Sequence, residues 1–254
     1  METSGTIRRF LAELGKTAVT YLKAAADMLL PRTCIVCGKK LQIEEDFLCP
    51  HCLEDMPLTY YWERSHNPMA DRFNESARDE KRYVYACALF FFDSEAEYRR
   101  IPYSIKYEGN VKAGRFFGNM LGTRIASGKC FDDIDTVIPV PLHPLRRWKR
   151  GYNQAEIIAS SVSECLGAEL RTDILFRSRH TKTQTKLSIK EKGSNVSGAF
   201  NVRNTSDTAP RHILLIDDVF TTGSTALACL TALRKVFPPE VRISVATLGF
   251  VGRA

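Results

Sequence analysis

The stretch His212–Thr225, "HILLIDDVFTTGST", places two carboxylates beside a run of hydroxyls. Asp217 and Asp218 follow four apolar residues, and a turn of Thr221, Thr222, Gly223, Ser224 and Thr225 comes next. A glycine turn that opens a helix attracts anions, because its N–H groups point outward and the helix N-terminus carries roughly half a positive charge. The hydroxyls add donors, so the turn reads as a phosphate cradle. The carboxylates would repel that phosphate and need another target. Vicinal sugar hydroxyls fit, since carboxylates accept from them in pairs. Phosphate and diol together describe a ribose 5-phosphate. The stretch is not a Walker loop, because no G-x-x-x-x-G-K-[ST] occurs in the chain.

A second constellation is thiol-based. Cys34 and Cys37 form C-I-V-C-G, and Cys49 and Cys52 form C-P-H-C, with eleven residues between the pairs. Each C-x-x-C turn presents two sulfurs, and the spacer is long enough to return the chain as a hairpin. Four thiolates satisfy a tetrahedral zinc ion with no open position, which makes the site structural. His51 lies between the second pair and is read as outside the ligand set. Cys87, Cys130, Cys165 and Cys229 stand singly in apolar contexts and read as buried small hydrophobes.

A third cluster is cationic. Arg146, Arg147, Trp148, Lys149 and Arg150 put four positive charges around one indole. Three readings stay open: a solvated charged loop, a track for single-stranded nucleic acid with a base stacked on Trp148, and contacts to a phosphorylated sugar. His143 lacks an orienting carboxylate in sequence, so a structural or ligand-positioning role outweighs that of general base.

These residues need elements to hold them. Residues 83–92, rich in aromatic and small apolar residues, predict a strand, as do 134–141, 212–217 and 241–250. Helical patterns cover 111–128, 152–167 and 224–236, and "EAEYRRIPYSIKYEG" is helical with Pro102 at a start or kink. Alternation of strands and helices across 134–250 implies parallel βαβ units. In such sheets ligands bind beyond the carboxyl ends of the strands, where Asp217 and Asp218 are expected to sit. The domain plan is a leading amphipathic helix over 1–30, a zinc knuckle over 31–58, a polar linker over 59–82, and the main domain over 83–254.

Composition bounds the class. The 254 residues carry a formal net charge of +7 and 44% hydrophobic residues, so the chain is globular and suits anionic partners. No apolar run reaches the roughly 20 residues needed to span a bilayer, and charges interrupt residues 7–30, so neither a span nor an export signal is read and the cytoplasm is the expected compartment. The leading helix leaves packing on the body and peripheral docking on a membrane or partner both open.

"ILLIDDVFTTGST" resembles the 5-phosphoribosyl-1-pyrophosphate (PRPP) signature of type I phosphoribosyltransferases. "PVPLHPLRRWKRGYNQAE" (139–156), "TQTKLS" (183–188), "NVSGAF" (195–200) and "IKYEGN" (105–110), with the four-cysteine knuckle upstream, resemble the ComF family of competence-associated proteins, over roughly 31–250. The resemblance implies a type I phosphoribosyltransferase core with a parallel sheet and flanking helices. It implies that Asp217 and Asp218 hold the ribose and residues 221–225 the 5-phosphate. Leu142 and His143, in the loop 141–144, would face the pyrophosphate. A loop around 177–196, carrying Lys182, Lys186, Lys190 and Lys192, would close over the site. Its positions Ile189, Lys192 and Ser194 stand where the family often has arginine, and lysine offers only a point charge in place of a bidentate fork. Implied cofactors are structural zinc and magnesium arriving with PRPP. Implied partners are PRPP or a related phosphosugar, single-stranded DNA and a competence helicase. Two functions follow: a PRPP-binding protein assisting uptake and processing of single-stranded DNA in natural transformation, and an active transferase with an unidentified acceptor.

Overall fold

The computed structural model describes residues 31–78, 80–177, 198–203 and 210–252. The chain divides into two compact units, Met1–Met56 and Pro57–Ala254. The predicted leading helix and the four loop lysines lie outside the described residues.

In the first unit, an isolated bridge joins Thr33 and Lys40, and helix α1 (Pro50–Glu54) follows with Pro50 in its first turn. The Arg32 guanidinium donates to the carbonyls of Glu45 at 2.6 Å and Gln42 at 3.0 Å, which closes the intervening loop. This loop and α1 bring the two C-x-x-C pairs together.

In the second unit, helix α2 (Pro68–Ser76) precedes strand β1 (Ala86–Phe91), followed by helices α3 (Arg100–Tyr107) and α4 (Val111–Ala126). Strand β2 (Thr136–Pro139), helices α5 (Pro144–Arg150) and α6 (Gln154–Leu166), and strands β3 (Glu169–Leu170), β4 (Leu175–Arg177) and β5 (Phe200–Val202) come next. Strand β6 (His212–Phe220), helix α7 (Ser224–Leu233) and strand β7 (Arg242–Phe250) complete the described order. Five strands form one sheet in the order β1-β7-β6-β2-β3, and every pairing is parallel. Strands β4 and β5 make a separate antiparallel ribbon.

Burial explains the strands. Ile213, Leu214, Leu215 and Ile216 are all 0% exposed, as a parallel strand covered on both faces requires. Helices α4 and α6 pack on each other and on the sheet, and α7 packs against β5. Gly114, Gly118 and Gly122 line the α4–α6 contact at helical spacing. A β-carbon added at Gly118 would lie 2.9 Å from Ser161 Cβ and 3.0 Å from the Ile158 carbonyl.

Several expectations need correction. Strand β6 runs on through Phe220, so the two aspartates sit within the strand and not at its end. The reason is that Val219 and Phe220 keep pairing with Gly249 and Phe250 of β7. The segment 59–82 is not a bare linker. Trp62, Met69, Ala70 and Phe73 are 0% exposed, and the polar residues that suggested a loop occupy the outer face of α2. Asn67 caps that helix through Met69 N–H and Ala70 N–H, and its amide donates to the Ala86 carbonyl of β1 at 2.9 Å. The residues "RRWKR" belong to a helix, α5, which His143 caps and Gly151 ends in the left-handed region. Cys165 is exposed, because it lies on the outer side of the α4–α6 seam beside Gly122.

The glycine seam yields a prediction. Gly118→Val should lower unfolding stability by about 1–3 kcal/mol through overpacking against the α6 backbone, measured by denaturant titration. An unchanged midpoint would mean the two helices separate freely.

Candidate functional site

The sheet order sets the location. From β6 the chain moves one way to β7, and from β2 it moves the other way to β3, so the switch point lies between β2 and β6. Val140 N–H donates to the Ile216 carbonyl at 2.8 Å, which brings the segment after β2 alongside the two aspartates. The segment 141–144 therefore leaves the sheet next to the point where Asp217 and Asp218 lie on β6.

On the β6 side, Asp217, Thr221, Gly223, Ser224 and Thr225 line a common pocket with Val219, Phe220, Ala226 and Thr247. Thr222 orders the turn: its hydroxyl meets Ser224 Oγ at 3.1 Å and accepts from Ser224 N–H at 3.4 Å. Gly223 has φ of +78° and caps α7, a conformation that disfavours any side chain. Its α-hydrogen side faces the Phe220 ring, where an added β-carbon would come within 2.5 Å of Cζ. The ring is itself packed on Phe250 at 5.9 Å and on Phe73 of α2 at 6.2 Å. Above that column, the Arg72 guanidinium lies 4.8 Å from the Phe250 ring centre and donates to the carbonyls of Thr221 at 3.2 Å and Val251 at 2.8 Å. Helix α2 thus buttresses the turn 221–225. Arg72 gives no signal in sequence, since 149 residues separate it from Thr221.

The two aspartates have different surroundings. Asp218 is 6% exposed, and its carboxylate forms an ion pair with Lys106 Nζ of α3 at 2.6 Å. Asp217 lines the pocket. Burial pushes its carboxyl up to about 6, against the opposing pull of Lys106 and Arg177. Burial lowers the Lys106 ammonium, while Asp217 raises it and Arg150 lowers it further. Lys106 belongs to "IKYEGN", yet its role is visible only once α3 lies against β6.

On the β2 side, His143 Nδ1 accepts from Leu145 N–H at 3.2 Å, so the imidazole serves as the cap of α5. Leu142, Pro141 and Pro144 line a cavity of about 240 Å³ together with Arg147, Arg177 and Arg203. Arg177 lies 5.2 Å from the Phe200 ring centre and Arg203 4.7 Å from that of Phe176, so the β4–β5 ribbon holds both guanidiniums. Arg147 thus comes from α5, and Arg177 and Arg203 from the β4–β5 ribbon and its end.

Helix α5 is partly engaged. Arg147 pairs with Glu156 at 3.2 Å, and Arg150 contacts Gln154 and lies 5.3 Å from the Tyr107 ring centre. Trp148 is 82% exposed. Tyr103 and Tyr107 are exposed on α3 with ring centres 5.0 Å apart, an aromatic pair that the sequence reading missed.

In the first unit the Sγ atoms of Cys34, Cys37, Cys49 and Cys52 all lie within 4.8 Å of one another, with Cys37 and Cys49 at 3.7 Å. Tetrahedral zinc at Zn–S distances of about 2.3 Å requires sulfurs about 3.8 Å apart, so the set fits that ion. Burial raises the Cys34 thiol, but N–H groups of Cys37, Cys49 and Val36 outweigh it and bring the group down to about 7. His51 is exposed and pairs with Asp55 at 3.1 Å, outside the sulfur set.

Comparison with known proteins agrees with both units. The phosphoribosyl transferase domain family matches residues 148–249, and the double zinc ribbon domain family matches residues 25–64. "Competence protein F" of Haemophilus influenzae is 38% identical over 110 residues, 43% of this chain and 48% of that protein. The chain thus carries a phosphoribosyl transferase domain match and is similar to a protein named for competence. The "DNA utilization protein YhgH" of Escherichia coli K12 is 25% identical over 195 residues, 76% of this chain and 79% of its own length. "Competence protein ComFC" of Streptococcus pneumoniae is 28% identical over 120 residues, 47% of this chain and 49% of that protein. The match thus spans about half the length of the Haemophilus and Streptococcus proteins and more of the Escherichia one. In this chain the zinc-ribbon match holds one four-cysteine set, which supports a structural zinc. Among the described residues no helix is long and apolar enough to cross a membrane.

Two outcomes follow. Metal analysis of the purified protein should find about one zinc per chain, and Cys34→Ser should lose it while the sheet still unfolds cooperatively. A zinc-free native protein would refute the assignment. The raised Asp217 carboxyl means the folded state binds more protons than the unfolded state between about pH 4 and 6. The group's contribution to stability therefore falls as pH rises through that window. Asp217→Asn should stabilise the fold by about 1–3 kcal/mol above pH 6 and leave it little changed near pH 4, measured by thermal unfolding across pH.

Proposed function

We propose that the chain binds PRPP, or a closely related phosphosugar, and assists the handling of incoming single-stranded DNA in natural transformation. The observation that carries the sugar reading is one pocket shared by Asp217 and the turn residues Thr221, Gly223, Ser224 and Thr225. The turn takes the 5-phosphate through its N–H groups and hydroxyls. The carboxylates take the ribose hydroxyls. Loop 141–144 and the arginines of the neighbouring cavity face the C1 diphosphate, and magnesium arriving with the ligand would offset part of that charge. The competence role rests on the names of the relatives, "Competence protein F", "Competence protein ComFC" and "DNA utilization protein YhgH".

The DNA reading rests on α5 and α3. Trp148, Tyr103 and Tyr107 offer open faces for base stacking beside Arg146, Lys149 and Arg150. Arg147 pairs with Glu156 and Arg150 contacts Gln154, so fewer than all four cations of the helix meet strand phosphates. A second reading, group transfer to an acceptor, is favoured by the placement of Arg147, Arg177 and Arg203 around one cavity, which offers the forked donors that Ile189, Lys192 and Ser194 do not supply.

Calorimetry with PRPP and magnesium tests the sugar site, and fluorescence anisotropy with a labelled oligonucleotide tests the strand. PRPP should bind, and the log of DNA affinity should fall against log salt with a slope of about −0.7 for each phosphate contact. Trp148→Ala should cost about 1–3 kcal/mol of DNA affinity without changing that slope, because stacking releases no counterions. Absence of PRPP binding would refute the sugar reading, and a Trp148 variant with native DNA affinity would refute the strand reading. Pyrophosphate release with an acceptor panel reports on transfer.

A further inference from the structure

Lys106 is the cation nearest the carboxylate pair. Its Nζ lies 2.6 Å from Asp218 Oδ2, with the lysine side chain 26% exposed and the aspartate side chain 8% exposed. The Asp218 Oδ1 atom is also occupied, accepting from Val219 N–H at 2.8 Å, and Asp217 Oδ1 accepts from Asp218 N–H at 2.8 Å. One sugar acceptor is therefore already held by a group of the protein itself. A diol that is to use Asp218 has to share it with Lys106 or displace the ammonium.

Displacement leaves a half-buried cation that needs an anion. The groups around it cannot supply one cheaply. Arg150 faces Lys106 and disfavours its charge, and Asp217, the other carboxylate beside it among the described residues, is already pulled on by Arg177 as well as by Lys106. The backbone beneath the lysine is also held. The Tyr152 hydroxyl donates to the Ile105 carbonyl, and Arg150 lies over the Tyr107 ring at 5.3 Å. The residues on both sides of Lys106 are thereby tied to the α5–α6 elbow, so the helix cannot carry the ammonium out to solvent without breaking those ties. Only side-chain rotation remains, and it keeps Nζ near the crevice.

We infer that Lys106 is a specificity-determining residue that makes the ribose site selective for sugars carrying an anionic group at C1. The inference rests on the phosphosugar reading above and deepens it. A sugar 5-phosphate without a C1 anion would break the Lys106–Asp218 pair and give the ammonium nothing in return. A sugar with a C1 diphosphate breaks the same pair and offers phosphate oxygens to the released ammonium. The exchange trades one charge-assisted contact for another. Discrimination thus comes from what the wrong ligand fails to satisfy, as well as from what the right one gains.

The test is calorimetry of the full-length native protein, Lys106→Met and Lys106→Arg with PRPP and with ribose 5-phosphate, both in magnesium buffer. The native protein should prefer PRPP by more than tenfold. In Lys106→Met, PRPP should weaken by ~10- to 100-fold, the worth of a charge-assisted hydrogen bond. Ribose 5-phosphate should hold within about threefold or tighten, since the diol no longer competes with an ammonium. Lys106→Arg should keep most of the preference. An equal loss of both ligands would assign Lys106 a purely structural role and overturn the inference, as would two unchanged affinities. Should Lys106→Met fail to fold, the native protein decides, and equal affinity for the two sugars overturns the idea. If the native protein binds PRPP but the preference does not depend on residue 106, only this inference fails. If it binds neither sugar, the phosphosugar reading fails and takes the inference with it.

Discussion

The parallel pairing of β2 with β6 is the constraint on which the site depends. Thr136 to Pro139 register with Ile213 to Ile216, and Val140 adds one more backbone hydrogen bond beyond the strand. The chain leaves β2 and β6 toward opposite sides of the sheet, which puts the switch point at this pair. Two segments with different chemistry, a proline-bounded loop and a hydroxyl turn, follow these strands. A slip of one residue in that register would turn Asp217 away from the turn and send Ile216 into the crevice, since successive side chains point to opposite faces.

That alternation also separates the aspartates. The extension of β6 through Phe220 keeps Asp217 and Asp218 in a strand, so the two neighbours in sequence acquire different partners. Asp218 is tied to Lys106, whereas Asp217 opens on the pocket with a carboxyl that titrates near 6. Burying two adjacent carboxylates would be untenable without cations. The fold provides Lys106 from one side and Arg177 from the other, and each carries a desolvation penalty of its own. The site is a compact set of mutually dependent charges assembled from α3, β4 and β6.

Much of this was legible from local pattern. The apolar run of β6, the glycine turn, the C-x-x-C pairs and Gly167 as the end of α6 are encoded within a few residues of where they act. The extent of β6 was not, because two acids resemble a strand end unless the pairing of Val219 and Phe220 with β7 is known. Helix α2 escaped notice because its buried face is only three residues wide within a polar segment. Lys106, Arg72, Arg177 and Arg203 were illegible for a related reason. Each reaches its partner across distances in sequence that only tertiary packing closes, and a single basic residue in a chain with 36 of them carries no local signal.

The Arg72 and Phe73 contacts bear on where the phosphoribosyltransferase-like core begins. By sequence pattern that core starts at Tyr83, and a fragment cut there would keep every strand of the sheet. It would also lose the guanidinium that holds the Thr221 carbonyl and the ring that backs Phe220. The phosphate turn would then rest on half of its support, with Gly223 free to relax out of its left-handed geometry. The smallest piece of this chain that keeps the turn fully supported therefore extends upstream to include α2 and its cap at Asn67.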